Sequence, residues 1–352
     1  MKQKNVAVFF GGCSPEYSVS LTSAHAVLSH LDRHKYNILP IGISKDGSWY
    51  YYTGSPEHLL DDTWLRCEDC IPAMLSLDRG ARKLYVFETT GISSLPVDVA
   101  FPVLHGKNGE DGTIQGAIAL SGIALAGCGV LASALCMDKD RSHKLVSLAG
   151  VRVPQGLVLE SGYTLQQAVA LAEKVGYPMY VKPVKAGSSF GITRVESPDQ
   201  LSKAIDGAFL YDNQVILEEN IQGIEVGCAV LGTETLLTGA IDDIELSKGF
   251  FNFTEKYTLH SSAIHVPARI SDAKAEEIKQ TAKRIYRALG CAGFARVDLF
   301  LTPSGQLVFN EVNTIPGFTE HSRYPGMMKA AGYSLADVLD RIIEQAVAQR
   351  QN

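Results

Sequence analysis

The sequence predicts an α/β protein that becomes α+β in its later part, with a wound sheet at the N-terminus. Three observations carry this. Short apolar runs alternate with helical segments over residues 1 to about 135, the pattern of a parallel, wound sheet. Two β-rich runs late in the chain, VDLFL (297–301) and LVFNEVN (307–313), flank the turn residues Thr302-Pro303-Ser304-Gly305 and read as a hairpin. The 352 residues, 46% apolar and 20% charged, suffice for two or three domains of about 150 residues each.

Charge and cysteine usage narrow the function classes. A net charge of −6 without a basic block gives no reason to expect a nucleic-acid partner. The one apolar run near the N-terminus, Val6–Phe10, ends at Gly11-Gly12 and is too short for a signal sequence or a membrane span, so a cytoplasmic protein without a membrane partner is expected. Of seven cysteines only Cys67 and Cys70 are closely spaced. No second pair or histidine set accompanies them, which favours reduced thiols over a zinc or redox site.

Asn5–Phe10 is a compact apolar strand. The turn Gly11–Glu16 follows, then a helix over Ser18–Leu31. A strand, a glycine turn and a helix N-terminus make a place for an anion or small polar ligand. Glu16 in that turn would repel phosphate but hold an ammonium group, which hints at an amino acid; a solvated loop carboxylate is the alternative. Residues 36–44 form a second strand, and residues 47–93 show no usable periodicity. Residues 97–104 form a third strand leading into the loop His105–Gly112, with a helix over Gln115–Leu120.

Residues 135–148 read as one helix. Thr164–Val175 is amphipathic and closed by Gly176 and Pro178. Met179–Pro183 is a strand carrying Lys182, and the loop 185–191, with Ser188 and Ser189, resembles a phosphate cover without being a Walker sequence. Strands follow at 215–219, 226–231 and 236–241. Glu218 and Glu225 flank a hinge-like connection over 220–224. Helices are expected at 273–289, stopped by Gly290, and at 335–348.

The hairpin carries the most chemistry. Glu311 and Asn313 are two apart on one strand and share a face, and the pairing brings Asp298 to it. Two carboxylates and an amide oxygen are hard ligands suited to Mg²⁺ shared with nucleotide phosphates. Arg296 lies on the same face, where a guanidinium can stabilise a developing oxyanion. Pro316-Gly317 bends the chain so that the Gly317 N–H can approach a ligand. An ordinary hairpin with solvated charges is the alternative.

Taken together, HGxxGEDGxxQG (105–116), MDK (137–139), VKPxxxGSSxG (181–191), Glu218 with Glu225, EKY (255–257), RVD (296–298) and NEVNTIPGFTEHS (310–322) resemble the D-alanine–D-alanine ligase family of the ATP-grasp superfamily. The resemblance spans nearly the whole chain apart from residues 47–93. It implies three domains: 1–136, an N-terminal wound α/β domain; 137–221, a central lid; and 222–352, a C-terminal domain carrying the metal. It implies ATP and Mg²⁺ (or Mn²⁺) as cofactors, D-alanine as first substrate, and a homodimer. By position Glu16 would hold the D-alanine ammonium, with Ser188 and Tyr257 bonded to it. Lys139 and Lys182 would contact phosphates beside Ser189. Glu218, Glu219, Ile221, Glu225 and Lys256 would face the nucleotide. Asp298, Glu311 and Asn313 would bind the metal, Arg296 and Gly317 would form the oxyanion hole, and Ser322 would hold the second substrate's carboxylate. His105 lies in a family motif without a clear role. A loop over about 250–262 would close on the site.

Two departures bear on the second substrate. Arg323 stands where the family usually has leucine after Ser322, and Phe251 where it often has tyrosine. A guanidinium beside the incoming amino acid can donate to a side-chain hydroxyl. This resembles the D-alanine–D-serine ligases of vancomycin-resistance systems, so D-serine is the expected second substrate. Tyr257, whose replacement the resemblance links to D-lactate use, is retained. An ordinary D-alanine–D-alanine ligase and an inactive nucleotide-binding relative are the alternatives.

Overall fold

The protein is described by a computed structural model covering residues 3–66, 68–246 and 262–350. Strand β1 (Lys4–Gly11) is at the heart of the first sheet: Val6 through Phe10 are fully buried, as a strand covered on both faces requires. It pairs in parallel with β2 (Tyr36–Ile43). Strands β3 (Trp49–Tyr52), β4 (Cys70–Leu75), β5 (Lys83–Glu88) and β6 (Gly91–Pro96) extend the sheet beyond β2, and β7 (Val99–Pro102) and β8 (Ala124–Leu125) lie on the other side of β1. The order is β6-β5-β4-β3-β2-β1-β7-β8. The parallel, wound sheet is therefore confined to β2-β1-β7-β8; residues 47–93 add four antiparallel strands. The partial exposure of β5 and β6 removes the apolar runs that would betray them in sequence.

Helix α1 (Tyr17–His30) follows the turn after β1. Gly11 there has φ +88°, and a Cβ on it would lie 2.1 Å from the Ile43 carbonyl oxygen, so only glycine lets the turn pass β2. Helix α2 (Thr113–Ser121) leads to β8. The single helix expected over 135–148 is two: α3 (Val130–Met137) and α4 (Lys139–Leu148). Asp138 breaks the run with extended backbone, and its carboxylate caps α4 by accepting from the Arg141 N–H.

The second sheet is antiparallel, in the order β11 (Thr193–Val195), β10 (Met179–Pro183), β12 (Gln214–Glu219), β9 (Gly156–Glu160). Helices α5 (Leu165–Val175) and α6 (Leu201–Phe209) cover one face and share its core. Thr164 and Gln167 form a capping box at the start of α5.

The third sheet, also antiparallel, is β15 (Ser262–His265), β14 (Leu236–Leu246), β13 (Ile224–Gly232), β16 (Phe294–Leu301), β17 (Leu307–Asn313). Helix α7 (Asp272–Ala288) packs Ile278, Ala282 and Ile285 on it. Helix α8 (Arg323–Ala330) lies against β13 and β14 of the same sheet, whereas Val338, Leu339, Ile342, Ile343 and Ala346 of α9 (Leu335–Arg350) share a core with Val6, Val8, Val99 and Phe101 of the first sheet. Among the described residues no helix is long and apolar enough to cross a membrane. Cys70 is a free thiol; Cys67 is outside the described residues.

Candidate active site

A cavity of about 340 Å³ lies between the second and third sheets. It is lined by Lys139, Lys182, Ser189, Glu218, Glu219, Ile221, Glu225 and Glu311, so the residues that the sequence assigned to a nucleotide and one assigned to a metal share it. Strand pairing explains the first of these. Tyr180 faces Glu218 across β10 and β12, which puts Lys182 diagonally beside Glu218, and the Lys182 ammonium donates to its Oε1. Lys139 opens α4 and donates to the Ala186 carbonyl at 2.8 Å, tying the helix to the loop that carries Ser188 and Ser189. Burial pushes the Glu218 carboxyl up, but Lys182, His143 and Lys139 outweigh burial and hold it below its ordinary range. The Glu219 carboxylate accepts from Arg152 Nη2 and from the Gln155 N–H, both at 3.0 Å.

A second cavity, of about 120 Å³, is lined by Glu16, Ser188, Arg296, Asn313, Gly317, Ser322 and Arg323, with His105 and Glu110. Six of the residues expected around the substrates thus meet from four separate stretches of chain. Glu16 is buried at the start of α1 and accepts from the Ser188 hydroxyl. Ser322 precedes α8, and its Oγ accepts from the Thr319 N–H at 3.1 Å. A Cβ on Gly317 would lie 2.6 Å from that Oγ, so a side chain there would fill the cavity.

The hairpin register pairs Arg296 with Asn313 and Asp298 with Glu311, as their spacing requires. Asp298 is fully buried and accepts from Arg296 Nε at 2.8 and 3.0 Å, Arg296 Nη2 at 2.7 Å and Asn313 Nδ2 at 3.0 Å. Burial pulls the Arg296 guanidinium down, but Asp298 more than offsets this and its pKa rises. The two carboxylates and the amide fit a hard cation in ligand type and proximity. The Asn313 amide points Nδ2 at Asp298 and Glu311, so holding a cation requires the flipped rotamer, with oxygen inward.

Arg323 is buried, unlike an arginine at a loop exit. Asp242 accepts from its Nε and Nη2, both at 2.8 Å, and Glu225 from its Nη1 at 2.7 Å; Asp298 lies 3.4 Å from Nη1. Gly227 makes room, because a Cβ there would come within 2.4 Å of Arg323 Nη2 and 2.5 Å of Asp242 Oδ1. Asp242 and Gly227 were missed from sequence. The signal for Asp242 was available, since an aspartate pair inside the apolar strand AIDDIEL demands partners. His143 was missed too: its Nε2 bonds the carbonyl of Asn310, the extra residue of a bulge in β17, at 3.0 Å. Lys256, Tyr257, Phe251 and most of the expected closing loop lie outside the described residues.

Two antiparallel sheets facing each other over a nucleotide-sized cavity, with Lys182, Glu218 and Glu219 from one, Glu225 and Glu311 from the other and Lys139 from α4, define an ATP-grasp enzyme. Sequence comparison gives the family. The D-ala D-ala ligase N-terminus matches residues 5–128 and the D-ala D-ala ligase C-terminus residues 145–344. The crystal structure of VanG D-Ala:D-Ser ligase from Enterococcus faecalis is 52% identical, covers 98% of this chain and 100% of its own, and superposes with a TM-score of 0.91. A D-alanine–D-alanine ligase of Caldicellulosiruptor bescii is 40% identical over 100% of this chain and 97% of its own. A putative D-alanine–D-lactate ligase of Streptomyces coelicolor is 41% identical over 99% of each. The chain belongs to the D-alanine–D-alanine ligase family, and it is an ATP-dependent, peptide-forming ligase of D-amino acids.

Proposed function

We propose that this ligase joins D-alanine to D-serine in the cytoplasm, using ATP and Mg²⁺, for peptidoglycan precursors of the vancomycin-resistance type. Arg323 carries the reading. It lines the small cavity beside Ser322, and Asp242 holds its Nε–Nη2 edge. Nη2 carries a second N–H that these bonds do not use, available to a side-chain hydroxyl. The 52% identity to a D-Ala:D-Ser ligase supports the same substrate.

The D-alanine carboxylate attacks the γ-phosphorus of ATP and ADP leaves. The amine of D-serine then attacks the acyl carbon, and phosphate leaves from the tetrahedral intermediate. Glu16 holds the D-alanine ammonium, with Ser188 fixing its carboxylate. Lys139 and Lys182 bind phosphate oxygens beside Ser189. Glu218, Glu219, Ile221 and Glu225 receive the adenosine end. Asp298, Glu311 and Asn313 would hold Mg²⁺, which when bound neutralises phosphate charge. Arg296 and the Gly317 N–H donate to the tetrahedral oxyanion, and Ser322 binds the D-serine carboxylate. The chain divides into domains at 1–136, 137–221 and 222–352 and works as a homodimer.

D-Alanine as second substrate is the rival reading. Three carboxylates already surround Arg323, so a methyl group beside it would break no bond. Product identification from equal D-alanine and D-serine, with ATP, separates the two. In the D-serine reading Arg323→Leu shifts products toward D-alanyl-D-alanine by about ten- to hundredfold, the value of a hydrogen bond to a charged group at about 1.4 kcal/mol per decade. An unchanged product ratio would remove Arg323 as the selector.

A further inference from the structure

The loop His105–Glu110 belongs to the N-terminal part of the chain, and the segment Ile315–Phe318 follows β17. The two are bound through a single backbone unit. His105 Nδ1 lies 2.8 Å from the Ile315 carbonyl oxygen, and Glu110 Oε1 accepts from the Ile315 N–H at 3.0 Å. The other Glu110 oxygen accepts from the Gly106 N–H at 2.9 Å, closing the loop on itself. His105 Nε2 lies 3.1 Å from Ser23 Oγ, and that oxygen accepts from the Phe318 N–H at 3.3 Å.

The proton positions follow from the partners. A carbonyl can only accept, so Nδ1 carries the hydrogen. Burial depresses the His105 pKa to about 4, so the ring is neutral at pH 7 and Nε2 accepts from the Ser23 hydroxyl. Ser23 then has its lone pairs for the Phe318 N–H. Ile315 and Phe318 are thereby pinned on either side of Pro316-Gly317, and none of these bonds uses the Gly317 N–H.

The same loop touches the other substrate group. A Cβ on Gly106 would lie 2.2 Å from Glu16 Oε2 and 2.7 Å from Ser14 Oγ. The loop thus abuts the carboxylate that receives the first ammonium, and through Ile315 it fixes the segment that carries the oxyanion donor. We propose that His105 and Glu110 are positioning residues that set the distance between Glu16 and the Gly317 N–H, gripping the two ends of the Ile315 backbone unit. Both line the small cavity, and their bonds run to Ile315, Gly106 and Ser23. This rests on the ligase reading of the small cavity.

Asparagine can reproduce the Nδ1 donor of histidine but not Nε2; glutamine reproduces Nε2 but not Nδ1. The test measures phosphate release from ATP with D-alanine and D-serine, KM for ATP, and affinity for a phosphinate mimic of the tetrahedral intermediate in the presence of ATP. His105→Asn, His105→Gln and Glu110→Gln are compared with the natural enzyme. Glu110→Gln sets an amide NH₂ against one of two N–H donors and so loosens the grip without changing volume.

Misplacing a catalytic group by about 1 Å costs on the order of a hundredfold. Glu110→Gln and His105→Gln are therefore expected to lose about ten- to hundredfold in kcat and in phosphinate affinity, with KM for ATP within about twofold, and His105→Asn to keep most of both. Should one variant fail to fold, the other carries the same readout. Unchanged phosphinate affinity in the folded variants, or His105→Gln matching His105→Asn, overturns the positioning role. Absence of phosphate release by the natural enzyme would instead overturn the ligase reading and is seen before any variant is compared.

Discussion

At the scale of single residues, the oxyanion role proposed for Arg296 depends on the shape of its guanidinium. Its guanidinium uses Nε and Nη2 to grip both oxygens of Asp298, which fixes the plane from which its remaining N–H groups face the small cavity. Lysine keeps the charge but cannot make that fork. Arg296→Lys is expected to lose about 10²–10³ in kcat, or about 2.7–4 kcal/mol, the usual value of one oxyanion donor. Steady-state phosphate release measures it, and a near-natural kcat would take Arg296 out of the oxyanion hole. The hairpin residues were legible in the sequence because strand alternation is local: two residues apart means one face. The partners of Arg323 were not. Asp242 and Glu225 lie 81 and 98 residues away, and only the order β14-β13-β16 of the third sheet brings them together.

Among elements, α9 has a role that its position in sequence conceals. It is the last helix of the chain, yet its apolar stripe shares a core with Val6, Val8, Val99 and Phe101 of the first sheet as well as with Ala229 and Leu231 of the third. Ile342 sits in the middle of that stripe, fully buried. Ile342→Ala is expected to cost about 2–5 kcal/mol, from lost burial plus the cavity left behind. Urea unfolding reads this as a lower midpoint, and a loss below about 0.5 kcal/mol would mean that α9 does not brace the first sheet. The helix itself was expected from the sequence over residues 335–348. Its packing partner was not, because an apolar face states only that it must be covered.

For the whole molecule, two buried groups beside the small cavity impose opposite pH slopes on stability. His105 is depressed from 6.5 to about 4, chiefly by burial, with Arg296 adding to it. Its contribution, on the order of 3 kcal/mol, is present above pH 6.5 and is lost as pH falls through 4. Glu110 is raised from 4.5 to about 8 by burial, by Glu16 and, more weakly, by Glu311, against two N–H donors that pull the other way. Its contribution is present below pH 4.5 and is lost as pH rises through 8. Between 6.5 and 8 only the second slope acts, so stability is expected to fall over that interval and to stay level in Glu110→Gln. Denaturant midpoints at pH 6.5 and 8 decide this, and equal slopes in the two proteins would remove Glu110 as the cause.

Local pieces were readable from the amino-acid order alone: the glycine turn after β1, the capped helices, the hairpin with Asp298, Glu311 and Asn313 on one face, and a set of spaced motifs that identified the family. These depend on spacing and intrinsic backbone preference, which act over a few residues. Packing was needed to show that residues 47–93 extend the first sheet with antiparallel strands, that Asp138 divides one apparent helix in two, and that Arg323 is buried among three carboxylates. It alone gave His105 its partner, a carbonyl 210 residues away. Such contacts depend on which surfaces the packed sheets bring together. A buried imidazole must find an acceptor wherever the fold provides one, and no local pattern records where that will be.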